Sequence, residues 1–218
     1  TLVPGIGSKI GGSRRWLRIG PMSFQPSEMA KIATIIGMSA WMTAAGRQVS
    51  SALKGWLYPV AGLGVVCALL LGEPDFGTTA LVGSVGLLIM LAGGTRISYW
   101  VITVVIGVCG FVLAVLQNPT RLGRVLAFLM PDKYPVVAYH LMQSKVAFIK
   151  GGLFGVGLGQ SVQKQFYLPE AHTDFILAII GEELGFIATM GVVLLFIGIL
   201  ACGMAIAYRA PDRFGRLI

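Results

Sequence analysis

Residues 174–207, DFILAIIGEELGFIATMGVVLLFIGILACGMAIA, decide the fold class of this chain. Residues 184–207 carry no charged side chain, and they alone exceed the roughly 20 residues that a helix needs to cross a lipid bilayer. A helix that is apolar on every side has no face to offer to water, so lipid must be its solvent. The stretch therefore predicts a membrane-spanning helix with acidic residues at its head.

The composition of the whole chain agrees with this prediction. Of its 218 residues, 56% are hydrophobic and 12% are charged, whereas soluble domains carry about 25% charged residues. The net charge is +8, but the basic residues lie beside apolar runs, so a soluble role in binding nucleic acid is excluded. We predict an all-α fold, a polytopic bundle of transmembrane helices.

Four further apolar runs precede residues 174–207, at 27–45, 56–72, 76–94 and 99–117. We predict one membrane domain over residues 1–218. It has an extracytoplasmic loop at 1–26, four transmembrane helices within 27–117, a second extracytoplasmic loop at 118–173, a long transmembrane helix at 174–208 and a cytoplasmic segment at 209–218. The first loop is Gly- and Arg-rich and starts without an initiator Met, so we expect an internal piece of a larger protein.

The loop at 118–173 is too long for a simple connection and is predicted to be functional. Within it, residues 136–149 show apolar residues at helical spacing, which predicts an amphipathic helix on the membrane surface. The glycines of 151–160 lack the Gly-Lys-Ser/Thr of a phosphate-binding loop, so we interpret them as a flexible turn.

The predicted extracytoplasmic face collects more basic residues than the opposite face, against the usual topological bias. One interpretation is that this face binds an anion such as a lipid phosphate. The other is that a long loop is translocated regardless of its charge. The residues are Lys9, Arg14, Arg15, Arg18, Arg121, Arg124, Lys133, Lys145, Lys150 and Lys164.

Several ionisable residues at the predicted membrane boundary are candidates for chemistry. Glu28 and Lys31 share a helix face, either as a self-neutralising ion pair or as functional groups. Asp75 is placed to cap the helix that follows Pro74, which is the interpretation we favour for it. Asp174 also suits a cap, and it could equally accept a proton from a substrate hydroxyl.

Three other ionisable residues near Asp174 have simpler interpretations. His172 is either a proton carrier or, as we favour, a polar loop residue. Glu182 and Glu183 are interpreted as boundary residues that set the depth of the last helix. None of the spacings demands a metal ion, although a divalent cation such as Mg or Mn is compatible with them.

Five segments together resemble the SEDS family (shape, elongation, division and sporulation), the membrane polymerases of bacterial peptidoglycan. They follow the order and spacing of the family over nearly the whole chain. The sequence around residues 163–175 is closer to the division-type (FtsW-like) branch than to the elongation-type (RodA-like) branch. The segments are RWLRIG at 15–20, FQPSEMAK at 24–31, EPDFGT at 73–78, GGLFG at 151–155 and the stretch at 167–185.

The resemblance implies a ten-helix, multi-pass protein of the bacterial cytoplasmic membrane, of which this chain holds about five helices. It implies a peptidoglycan glycosyltransferase that polymerises lipid II into glycan strands at the outer face of the membrane, for septal wall synthesis in cell division. The expected partners are lipid II, the glycan linked to undecaprenyl diphosphate, a class B penicillin-binding transpeptidase and other divisome proteins. The alternatives are a flippase for the same lipid precursor and a non-catalytic scaffold that positions a partner enzyme.

The resemblance also implies roles for particular residues. Asp174 would be the general base, with Glu28, Lys31 and Asp75 in the same polar cavity. Substrate binding would involve a further set, whose cations could stabilise the diphosphate leaving group. The residues of this set are Arg15, Gln25, Ser27, Lys145, Lys164 and His172.

Overall fold

The computed structural model describes residues 7–10, 13–19, 22–73, 75–168 and 173–218. They form three short strands followed by a series of helices. The strands are β1 (Gly7–Ile10), β2 (Ser13–Ile19) and β3 (Met22–Phe24), and the helices are α1 (Pro26–Ala45), α2 (Tyr58–Gly72), α3 (Phe76–Ala92), α4 (Ile97–Leu116), α5 (Pro119–Leu129), α6 (Pro135–Gly151), α7 (Ile176–Arg209) and α8 (Arg213–Leu217).

A helix lies at each of the five predicted apolar runs. Among the residues that the structure describes, three helical stretches are long and apolar enough to cross a membrane, namely Leu53–Gly72, Ile97–Leu116 and Ile176–Arg209, and Phe76–Ala92 is a shorter apolar helix. The first of these stretches includes a π-helical turn that leads into α2. The predicted class, a helical membrane protein, is confirmed, and the side of the membrane on which each loop lies stays a prediction.

The chain forms two compact units, and the first contains residues 1–110 and 206–218. In this unit α1 and α3 run parallel, because residues near the start of α1 face the start of α3 and residues near its end face the end of α3. Lys31 and Thr34 line a small cavity with Leu81 and Val85. Further along both helices, Met38 and Met42 pack in one buried cluster with Ile89 and Met90.

The start of the chain contains a small antiparallel sheet that the sequence analysis did not predict. Its strand order is β1-β2-β3, and Leu17 of β2 is paired with Phe24 at the end of β3, directly before α1. The pairs Gly11-Gly12 and Gly20-Pro21 separate the three strands in the sequence. Such dipeptides between short runs are a hairpin signal. The loop predicted at 1–26 therefore contains strands at 7–10, 13–19 and 22–24, and its side of the membrane stays a prediction.

The second unit contains residues 111–205, and in it α6 confirms the helix predicted at 136–149. The preceding helix α5 was missed, although Asn118 caps it by accepting a hydrogen bond from the Thr120 N–H at 3.1 Å. Ala147 of α6 packs in a buried cluster with Leu168 and with Ala178 at the start of α7. The long loop is thus largely helical and is fixed to the head of the last helix.

Helix α7 is broken at Gly185, whose backbone angles are φ 80° and ψ −176°. In an uninterrupted helix the Phe186 and Ile187 N–H groups would bond to the Glu182 and Glu183 carbonyls. The break separates both pairs and frees four backbone groups. The part that follows, residues 186–209, is still about 36 Å long and can cross the bilayer by itself.

Residues 152–157, which we call the inserted loop, bond to all four of the freed groups. The flexible turn predicted at 151–160 was wrong for these residues, because four of the six bond to α7 through their backbone. The bonds run from Val156 N to Glu182 O (2.9 Å), from Gly157 N to Glu183 O (3.0 Å), from Phe186 N to Gly152 O (2.8 Å) and from Ile187 N to Leu153 O (3.4 Å).

The close contact between the inserted loop and α7 requires glycine at position 155. A Cβ atom there would lie 2.2 Å from the Glu183 carbonyl oxygen, and the residue has φ +80°. Gly159 has a similar φ of +75°, but a Cβ at that position would meet nothing within 4 Å. The two glycines therefore share the backbone strain and differ only in the contact with α7.

We expect Gly155→Ala to destabilise the full-length protein more than Gly159→Ala. Both substitutions carry the left-handed backbone cost of about 1–2 kcal/mol, and only Gly155→Ala also separates the inserted loop from α7. Thermal unfolding of both purified variants in detergent measures the difference. Equal losses of Tm would show that the loop does not depend on this contact.

Candidate functional site

Asp75 lies at the N-terminus of α3, where it caps the helix as predicted. Its carboxylate accepts hydrogen bonds from the Thr78 N–H at 3.3 Å and the Thr78 hydroxyl at 2.9 Å. The side chain is buried. A carboxylate at this place is stabilised by the positive end of the helix dipole as well as by its hydrogen bonds.

Glu28 and Lys31 form an ion pair in the first turns of α1, as one of the two interpretations of the sequence expected. The Lys31 Nζ atom lies 2.8 Å from the Glu28 Oε2 atom, and the two side chains are 28% and 58% exposed. An exposed pair of this spacing contributes only about 0.3–0.5 kcal/mol. Its contribution to stability is thus small, and whether the pair also has a chemical role stays a prediction.

Two more predicted residues lie at the same helix end. Gln25 directly precedes α1 and donates from its Nε2 atom to the Ser27 hydroxyl at 2.8 Å, and Ser27 is buried. Because α1 and α3 run parallel, Gln25 lies at the level of Asp75, and Glu28 follows less than one turn later. The first unit thus brings five predicted site residues to one end of the α1–α3 pair: Gln25, Ser27, Glu28, Lys31 and Asp75.

The backbone of Arg15 lies in β2, and β2 contacts α1. The small sheet therefore brings this predicted cationic position close to the helix that carries Glu28 and Lys31.

In the second unit, Asp174 is exposed and lies two residues before α7 begins. The Phe175 carbonyl accepts the first hydrogen bonds of the helix, from Ala178 N at 3.0 Å and Ile179 N at 3.3 Å. Phe175 therefore occupies the cap position, and the expectation that Asp174 caps the helix was off by one residue. The Asp174 carboxylate lies just outside the helix, where a polar substrate group can approach it.

Two of the predicted substrate-binding residues are cations of the second unit, and both are exposed. They are Lys145 on α6 and Lys164 in the short π-helical segment Gln163–Tyr167. The Lys164 Nζ atom lies 3.9 Å from the Glu183 Oε1 atom. His172 lies outside the described residues. Lys164 is thus the predicted substrate-binding residue that the structure connects directly to α7.

Glu182 has buried hydrogen-bond partners that the sequence does not reveal. Its side chain is 1% exposed, and it accepts hydrogen bonds from the Ser161 hydroxyl and, at 3.3 Å, from the Gln163 N–H. It is therefore held within the protein interior, and its depth relative to the membrane stays a prediction. A buried Glu facing a loop cannot be distinguished in sequence from an exposed Glu on the same helix turn.

Among residues 7–10, 13–19, 22–73, 75–168 and 173–218, no three His, Cys, Asp or Glu side chains are grouped as a metal site would require.

The fold and these side chains define a helical membrane protein with ionisable groups held at helix starts. A family model described as "Cell cycle protein", that of the FtsW/RodA/SpoVE proteins, matches residues 1–218. The chain belongs to this family, which confirms the predicted resemblance.

Curated relatives match nearly the whole chain. A probable peptidoglycan glycosyltransferase FtsW from Legionella pneumophila is 41% identical over 211 residues, which are 96% of this chain and 53% of that protein. Stage V sporulation protein E from Bacillus subtilis is 41% identical over 222 residues, covering 100% of this chain and 60% of that protein. The chain thus spans little more than half the length of these relatives.

Solved structures share the fold. A chain in the structure of a peptidoglycan synthase complex that coordinates polymerization and crosslinking matches with a TM-score of 0.72 at 26% identity, covering 99% of this chain and 60% of that one. The rod shape determining protein RodA from Thermus thermophilus matches with a TM-score of 0.63 at 25% identity, covering 99% and 55%. The predicted SEDS-type helical fold is therefore confirmed.

The cap at α3 can be separated from any chemical role of Asp75 by two substitutions. Asp75→Ala removes the acceptor and should cost about 0.5–2 kcal/mol, whereas Asp75→Asn keeps an oxygen that caps almost equally well. We expect thermal unfolding of the full-length protein to show a lower Tm for Ala and a nearly unchanged Tm for Asn. A large loss of Tm for Asp75→Asn would show that this helix start depends on the charge or on the bond from the Thr78 hydroxyl, which the Asn NH2 group cannot accept.

Exchanging the two charges of the ion pair tests whether Glu28 and Lys31 act only as a pair. The double variant Glu28→Lys, Lys31→Glu keeps an ion pair at the same spacing but places the cation in the first turn of α1, so we expect a loss of stability of only about 1 kcal/mol. A chemical role needs each charge at its own position, and in that case activity falls although the fold is intact. Unchanged activity of the exchanged variant would reduce the pair to a structural one.

Proposed function

We propose that the full-length protein is a peptidoglycan glycosyltransferase that polymerises lipid II into glycan strands. The observation that carries the proposal is an exposed carboxylate, Asp174, directly before a membrane-spanning helix, in a chain of the FtsW/RodA/SpoVE family. Relatives named peptidoglycan glycosyltransferase are about 40% identical to it. The protein would be a multi-pass protein of the bacterial cytoplasmic membrane, acting at its outer face in cell division.

In the proposed reaction the 4-hydroxyl of the incoming lipid II attacks the anomeric carbon of the growing glycan. The bond between that carbon and the diphosphate breaks, and undecaprenyl diphosphate leaves with the bonding electrons. The Asp174 carboxylate takes the hydroxyl proton and later releases it to water. A general base of this kind contributes about 10²–10⁴-fold to the rate.

The other predicted residues would stabilise the negative charge of the diphosphate. Lys164 and Lys145 are exposed cations on the unit that carries Asp174, and they suit the stabilisation of a diphosphate leaving group. In the first unit, Lys31 and the N-termini of α1 and α3 supply positive charge beside the carboxylates of Glu28 and Asp75. A divalent cation could add to this charge in the full-length protein.

The main rival function is transport of the same lipid precursor. Transporters often use broken helices, in which freed backbone groups coordinate the substrate. In α7 the freed groups are instead bonded to residues 152–157, so they are not available for a substrate. This pairing favours the enzyme over the flippase.

The structural relative in a peptidoglycan synthase complex supports a partner of the class B penicillin-binding transpeptidase type. Such a partner would crosslink the strands that this protein polymerises. Other divisome proteins would place the pair at the septum.

We expect Asp174→Asn in the full-length protein to reduce glycan formation from purified lipid II by about 10²-fold or more, since the amide cannot accept the proton. The matched control is Asp132→Asn, another exposed Asp of the same unit, which should polymerise normally. Gel separation of the glycan products, with and without the partner transpeptidase, measures both.

Polymerisation by Asp174→Asn at the rate of the unaltered protein would overturn the base assignment. Movement of lipid II across vesicles without any glycan product would overturn the enzyme in favour of the flippase. If the partner enzyme formed glycan by itself, without this protein, a scaffold function would be favoured.

A further inference from the structure

Glu182 is a carboxylate in a place where an isolated charge would be costly. It is 1% exposed, and an ionised side chain is buried at a cost of several kcal/mol unless hydrogen bonds compensate for it. The Ser161 hydroxyl and the Gln163 N–H supply such bonds. Both donors come from the segment after the inserted loop, so these bonds connect that segment to α7.

The network continues to Lys164. The Ser161 hydroxyl oxygen accepts the Lys164 N–H at 3.0 Å, and Ser161 and Gln163 are 1% and 2% exposed. The backbone of Lys164 is therefore fixed by one hydroxyl that is itself bonded to Glu182. The Lys164 side chain, by contrast, is 54% exposed, so its ammonium group remains accessible to an anion.

The connection through Glu182 is independent of the backbone pairing of the inserted loop. Residues 152–157 bond to α7 through main-chain groups, residues 158–160 are exposed, and the chain returns to α7 only at Ser161. Without Glu182 the segment 161–167 would lose the hydrogen bonds of Ser161 and Gln163 to α7, while the inserted loop kept its own. The 3.9 Å contact between the Lys164 Nζ and Glu183 Oε1 atoms would remain, but the backbone that carries Lys164 would no longer be held at a fixed place.

We propose that Glu182 is a positioning residue that holds Lys164 in place for the anionic, diphosphate-bearing substrate. It acts through Ser161 and Gln163 and does not itself touch the substrate. The carboxylate fixes the segment 161–167 to the short helical part of α7, residues 176–184, which begins two residues after Asp174. The inference rests on the proposed function. It adds a reason why the Lys164 side chain keeps a fixed position relative to α7.

This role predicts a particular kinetic signature. The diphosphate is charged in the bound substrate as well as in the leaving group, so a displaced Lys164 weakens both states and KM should rise, whereas Asp174 precedes α7 and keeps its environment, so kcat should change little. Simple loss of folded protein would lower the apparent kcat and leave KM unchanged. The division of the effect between KM and kcat therefore separates positioning from general destabilisation.

The test uses the full-length protein with purified lipid II and compares Glu182→Leu, Glu182→Gln and Gln160→Ala. Leu has no acceptor, and removal of these bonds should raise KM by about 10-fold or more, with kcat within about 3-fold. Gln keeps an oxygen that can accept both bonds, so its KM should stay within about 3-fold. Gln160→Ala changes an exposed neighbour of Ser161 and should leave both constants unchanged.

Hydrogen exchange of the same purified proteins gives a measurement that does not need activity. The Gln163 and Lys164 amides should exchange faster in Glu182→Leu, and the Val156 and Gly157 amides should keep their protection. If Glu182→Leu fails to fold, it is replaced by Ser161→Ala, which removes only one hydroxyl. We then expect faster exchange of the Lys164 amide and a raised KM.

Unchanged exchange at Gln163 and Lys164, or a KM that stays constant while kcat falls, would overturn the positioning role. A Gln variant as impaired as Leu would also overturn it, since the bonds would then not be what matters. If the unaltered protein forms no glycan, the proposed function fails, and the exchange measurement alone still decides whether Glu182 holds the segment.

Discussion

The rest of the second unit depends on one interaction, the bonding of residues 152–157 to the break in α7. Backbone groups near lipid must find partners within the protein, because each unpaired group costs several kcal/mol there. The break at Gly185 frees four such groups, and the inserted loop bonds to all of them. The break and the loop therefore require each other, and neither is stable near a membrane without its counterpart.

This interaction divides α7 into two parts with different tasks. Residues 186–209 suffice to cross the bilayer, while residues 176–184 pack on α6 through Ala178 and Ile179. Residues 176–184 pack against the folded loop. Asp174 lies two residues before them, so its position is set by packing and hydrogen bonds as well as by the depth of a transmembrane helix. Glu182 adds a side-chain connection to the same part, which is why a buried acid is retained there.

The first unit shows that a structural role does not exclude a chemical one. Asp75 caps α3 and Glu28 pairs with Lys31. Each charged side chain therefore has a partner that lowers the free-energy cost of placing it near the membrane. The same arrangement holds these charges at the start of two parallel helices, where the helix dipoles add positive potential. A site for an anionic lipid can use groups that are already fixed for stability.

The sequence by itself determined the membrane class, a helix at each of the five apolar runs, the family and the cap at Asp75, because hydropathy and capping act over a few neighbouring residues. It did not show the strands at 7–10, 13–19 and 22–24, the helix α5 or the burial of Glu182. The acids 182 and 183 look alike in sequence, and only the tertiary structure buries one against Ser161 and leaves the other beside Lys164. Likewise, the glycines of the inserted loop indicate only freedom of the backbone. Which conformation they adopt is decided by Gly185, because the hydrogen bonds that fix it come from a helix about thirty residues away along the chain.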